Sequence, residues 1–129
     1  KQFLLVARNT AVRSAVENEL KVRGAKSVAV ESWEQAREQL TGQTFGGVVC
    51  VSEKTVNSAA AAIELAGAFE TIRLLALERG GEMDGVCLLL ATESAGVFGA
   101  LAQTGDGELA AGYAGIAKSL TKEWPGART

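Results

Sequence analysis

Residues 2–24, QFLLVARNTAVRSAVENELKVRG, contain the change of period that decides the fold. Gln2 to Ala7 is a short, continuous apolar run of strand type. From Asn9 or Thr10, either of which can cap a helix, the apolar residues recur at helical spacing. Val12, Ala15, Val16 and Leu20 then share one face, and Gly24 supplies a stop. A strand with no polar alternation is apolar on both faces, which suits a parallel sheet covered by helices.

The same unit recurs downstream. SVAVES (27–32) reads as a second strand, and Ser32 caps WEQAREQL, where Trp33, Ala36 and Leu40 share a face and Gly42 stops the helix. GVVCVS (47–52) is a third strand. Asn57 or Ser58 opens a long helix with Ile63, Leu65, Ala66, Phe69, Ile72 and Ala76 as a broad apolar stripe, ended by Gly80 and Gly81. GVCLLLA (85–91) is the fourth strand, residues 94–108 form a Gly-rich loop, and a last helix runs from Leu109 to Trp124, before Pro125. Strands alternating with helices predict an α/β chain: a Rossmann-like parallel sheet with helices on both faces.

At 129 residues the chain is expected to form a single domain over residues 1–129. Its 13 basic and 15 acidic residues are evenly mixed, so there is no electrostatic footprint for nucleic acid. No apolar run approaches the ~18 residues of a membrane span, so no membrane partner is expected. There is no histidine, which removes Ser-His-Asp and Cys-His catalysis and histidine-based zinc sites. Cys50 and Cys87 each lie in an apolar run and read as buried, reduced thiols of a cytoplasmic core. Trp33 and Trp124 read as rim or core anchors. Glu53 and Glu93 end strands at the same sheet edge, where α/β folds bind ligands, so a paired-carboxylate site is conceivable; no third ligand supports a metal.

The segment GYAGIAKSLTKEWPGART (112–129) places Tyr113 and Lys118 near one another. Five residues separate them, roughly 140° around a helix, so they cannot jointly hold a substrate carbonyl. Tyr113 reads as a rim residue and Lys118 as a solvated one.

With KSLTKEWPG (118–126) and the order of elements, the chain resembles the short-chain dehydrogenase family. More specifically, it is similar to the ketoreductase regions of modular polyketide synthases and polyunsaturated fatty acid synthases. Aligned on Ala114, Gly115 and the KSLTKE run, the family's catalytic Lys falls at Ala110 and its Tyr at Asp106. The active-site serine position holds Glu93 or, one earlier, Thr92, with Ser94 nearby. The three glycines of the cofactor turn fall on Ala7, Ala11 and Arg13, each adding a Cβ where the pyrophosphate would lie. The Asn-rich turn after the third strand reads Ser52, Glu53, Lys54.

The resemblance therefore implies a truncated Rossmann-like, noncatalytic structural subdomain that binds no cofactor itself. It would buttress an adjacent NADPH-dependent catalytic half of the same chain, which reduces β-ketoacyl groups on an acyl carrier protein. Both chain ends read as boundaries within a longer polypeptide, with the next parallel strand expected near Gly126–Thr129. The alternative is a degenerate receiver-like interaction domain, suggested by the rhythm of residues 3–40. The places of its acidic pair and phosphoacceptor hold Ala7, Arg8, Asn9 and Ser52, Glu53.

Overall fold

Each apolar run becomes a strand and each amphipathic run a helix. The structure is a computed structural model that describes residues 1–53, 57–93 and 105–129, and for 105–107 the backbone alone. Its elements are β1 (Gln2–Val6), α1 (Thr10–Val22), β2 (Lys26–Val30), α2 (Trp33–Leu40), β3 (Gly47–Ser52), α3 (Ser58–Glu78), β4 (Cys87–Thr92) and α4 (Gly105–Glu123). The strands form one sheet in the order β2-β1-β3-β4, and every pairing is parallel. The chain is thus an α/β protein of truncated Rossmann-like form. The order reverses between β1 and β3, the point at which doubly wound sheets open a crevice at their strand ends.

The two faces of the sheet are unequally covered. Leu4, Val6, Val48, Cys50 and Leu88 point into the larger core, where Trp33, Ala36 and Leu40 of α2, Ile72 and Leu75 of α3, and Leu109 and Leu120 of α4 meet them. The other face holds Leu5, Ala7 and Val49, packed by Val16 of α1. None of the residues of α1, all of them described, is fully buried: Val12, Val16 and Leu20 are half-buried and Ala15 is exposed. The helical face expected there is real but shallow, because α1 lies on β1 and β2 and, among the described residues, no helix covers the β4 side of this face. Leu89 is 52% exposed on that bare side. Cys87, expected to be buried, is half-buried in the same row, whereas Cys50 is buried in the larger core; both thiols are free.

Two other expectations change. The stripe of α3 that faces the sheet runs through Ala61, Ala68, Thr71, Ile72, Leu75 and Ala76, while Ile63 and Phe69 are 71% and 53% exposed and Ala66 faces solvent. The helix is apolar nearly all round, so its periodicity carries little phase, and its facing is set by close packing on α2 and α4, with Gly67 inward where Trp33 lies on it. Four residues expected in the loop, 105–108, form the first turn of α4. Glu108 anchors that turn by accepting a 2.7 Å hydrogen bond from Ser58 Oγ at the start of α3. The remainder of the expected loop, residues 94–104, lies outside the described residues.

Local signals place the helix starts. Asn9, Ser32 and Asn57 cap α1, α2 and α3, each side chain accepting from the backbone N–H three residues on. After α4, the chain turns at Trp124–Gly126 and Arg128 forms a parallel bridge with Cys87 on the outer edge of β4. Leu88 N–H donates to Arg128 O at 2.7 Å and Arg128 N–H to Val86 O at 2.8 Å. The parallel pairing expected at the end of the sequence is therefore present as a single bridge.

Candidate functional site

The C-terminal ends of the parallel strands define one edge of the sheet. Ala7, Arg8 and Asn9 follow β1, Glu31 and Ser32 follow β2, Ser52 and Glu53 end and follow β3, and Glu93 follows β4. A crevice of about 350 Å³ opens there between β1, β3 and the first turns of α2 and α3.

Beside this crevice the β1–α1 turn is held by a side chain of α1. Arg13, in the first turns of α1, folds back so that Nη1 donates to Ala7 O at 2.9 Å, and its Nη2 pairs with Glu31 Oε1 at 3.1 Å. The Arg13 side chain is 16% exposed. In dinucleotide-binding domains, phosphate approaches the glycines of this turn and an acidic residue about 20 residues further on takes the ribose. Glu31 stands after β2 where such an acid would stand, and Arg13 already holds it. Ala7 is buried and Ala11 is exposed on α1. The role of Glu31 was not legible from the glycine pattern; its signal was an acid directly after the second strand.

A second clasp crosses the same crevice. Trp33 Nε1–H donates to Glu64 Oε2 at 2.8 Å, and Arg8 Nη2 lies 3.5 Å from Glu64 Oε1. Trp33 is buried, the core alternative of the sequence reading, whereas Trp124 is half-buried at the rim. Arg13 of α1 is thus held by a carboxylate in a largely buried pair, whereas Arg8 stays largely exposed beside Glu64.

Beneath the crevice lies a polar cluster in the core. Ser52 Oγ and Tyr113 OH are 2.7 Å apart, Cys50 Sγ lies 3.3 Å from Ser52 Oγ and 3.6 Å from Tyr113 OH. Tyr113 is 3% exposed, which corrects its reading as a rim residue. It lies on the inward line of α4 with Leu109 and Leu120, and that four-then-seven spacing was the available signal. Burial pushes the Cys50 thiol up to about 11, against the opposing hydrogen bonds from Ser52 and Tyr113. Burial, then the neighbouring Cys50, raises Tyr113 as well. At neutral pH both groups keep their protons, so the cluster shares hydrogen bonds and has no thiolate or phenolate nucleophile.

The other sequence-derived positions scatter. Ala110 is buried on α4, Lys118 is exposed on the same helix, and Asp106 lies in its first turn with its side chain outside the described residues. Thr92 ends β4 and Glu93 is exposed; Ser94 and Lys54 lie outside the described residues. Glu53 and Glu93 do border a common groove with Asn9 and Val12, and Glu93 N–H approaches Ser52 O at 3.4 Å. Among the described residues no group of three His, Cys, Asp or Glu is placed to hold a metal ion. Among the same residues no helix is long and apolar enough to cross a membrane. Compared with models of known protein families the chain matches none, and no curated protein matches it.

Proposed function

We propose that this chain is a noncatalytic structural half of a short-chain dehydrogenase-like ketoreductase region in a polyketide or polyunsaturated fatty acid synthase. It buttresses an adjacent catalytic half, cytoplasmic like itself, which uses NADPH to reduce β-ketoacyl groups carried on an acyl carrier protein. The observation that carries the reading is the Arg13 clasp: Ala7 O and Glu31, the turn and the acid that a dinucleotide would need, are held by one guanidinium. Displacing it would leave a carboxylate beside the incoming phosphates, and like charges so close repel. Asp106, Ala110 and Glu93 stand where the family has its reactive groups, and none of the three supplies a hydroxyl or an amine. The bare side of the sheet around Leu89 and the outer edge of β4 supply apolar surface for the catalytic half to cover.

The test is twofold. Titration with NADPH by calorimetry is expected to give no saturable heat; tight binding overturns the reading. Co-expression with the catalytic half is expected to yield a complex that survives gel filtration, with Leu89→Lys weakening it.

One observation favours a second reading. The β2-β1-β3-β4 order is also the first part of the flavodoxin and receiver order, as a degenerate receiver-like interaction domain would have. The size of the native polypeptide separates the two. A band far above 13.4 kDa on an immunoblot supports the synthase reading, and one near 13.4 kDa supports an independent interaction domain.

A further inference from the structure

The outermost line of α3 consists of Ile63, Ala66, Glu70, Arg73 and Leu77, with Gly80 just beyond the helix cap. The spacing alternates three and four residues, the spacing of a helix–helix seam. Ile63 is 71% exposed, Leu77 is 61% exposed, and Phe69 beside the line is 53% exposed. Glu70 and Arg73 sit in the middle, 3.0 Å apart with half-exposed side chains. Exposed apolar residues at both ends of one helix face, with an ion pair between them, are uncommon on a surface that meets water alone.

Two features select what covers it. Along the line Ile63 and Leu77 are large, whereas Ala66 and Gly80 are small, so each end pairs one large with one small residue. An antiparallel copy sets large side chains on small ones; a parallel copy would set large on large. The charges are complementary under the same operation. Setting Glu70 opposite Arg73 of a second copy also sets Ala66 opposite Leu77 and Ile63 opposite Gly80, with no like charges facing.

We propose that two copies of this chain associate across α3, antiparallel about a two-fold axis, with Glu70 of each copy on Arg73 of the other. The contact is isologous, so each residue acts twice. A single helix pair lies at the small end of stable interfaces, so the dimer dissociates in the micromolar range. This goes beyond the buttress reading and needs no catalytic half.

Sedimentation equilibrium of the chain from about 10 µM to about 1 mM brackets that range. A concentration-dependent monomer–dimer equilibrium is expected; a monomer throughout overturns the proposal. Glu70→Arg alone and Arg73→Glu alone each set like charges across the axis and are expected to weaken association by about ten-fold or more. An equimolar mixture of the two variants faces cations with anions and is expected to form a mixed dimer within a few-fold of the parent affinity. Misfolded variants could not be rescued by mixing, so rescue reads the interface itself. Unchanged affinity in the single variants, or a mixture as weak as either alone, overturns the proposal.

Discussion

A glycine inside a helix costs about 1 kcal/mol relative to alanine, and α3 keeps one because Trp33 lies on it. A Cβ at Gly67 would sit 2.5 Å from Trp33 Cδ1, inside contact distance. Gly67→Ala is therefore expected to destabilise by about 1–3 kcal/mol in urea unfolding, despite the better helix former. A neutral or stabilising result would mean that Trp33 moves aside and does not lock the crevice wall. The Cys50 cluster makes a second residue-scale prediction. The ordinary thiol value is near 9 and the folded one near 11, so above pH 9 the unfolded chain releases a proton that the folded chain retains. Stability is complete below about pH 9 and is lost as pH rises toward 11, at a slope of roughly 1.4 kcal/mol per pH unit for this group. Tyr113 adds loss of the same sign above about 10. Urea midpoints measured across this range should fall less steeply in Cys50→Ala than in the parent; parallel slopes would discard the buried thiol as a cause.

Elements differ in how firmly they are held. α1 buries no residue fully and relies on its Asn9 cap, whose Oδ1 accepts from Val12 N–H at 3.1 Å. Amide exchange in α1 is expected to be faster than in α3, which buries Ile72 and Leu75. Asn9→Ala should cost about 1 kcal/mol and accelerate exchange in α1 first; uniform acceleration throughout the chain would show that α1 opens only with the whole domain. The elements themselves were legible because strand runs and helical spacing differ so clearly in QFLLVARNTAVRS, and because Asn and Ser caps mark the starts. The facing of α3 was not legible: apolar residues surround it, and only packing against α2 and α4 decides that Ala68 goes in and Phe69 out. The start of α4 was hidden by its glycines, whose weak propensity is overridden by the contact between Glu108 and Ser58. At the candidate site, the loss of glycines was legible and the Arg13–Glu31 clasp was not, since it joins residues brought together only when β2 lies beside β1.

At the scale of the whole molecule, the uneven coverage of the sheet is the dominant fact. Leu89→Lys removes apolar surface from the bare face without touching the larger core, so stability should change by less than about 0.5 kcal/mol. Binding of a hydrophobic dye should fall; an unchanged signal would locate the sticky surface elsewhere, with α3 the next candidate. The strand order carries one more consequence. β1 is the first strand of this chain to be made, yet it ends in the interior of the sheet, with Phe3 beside Ser27 on one side and Gly47 on the other. During synthesis its second edge stays open until β3 has left the ribosome, and no pairing in the sheet is local. Such a topology folds slowly for its size, and a nascent chain paused between β2 and β3 exposes an apolar strand edge to its neighbours. Timing on the ribosome, more than final stability, would then govern how much of this domain is recovered in folded form.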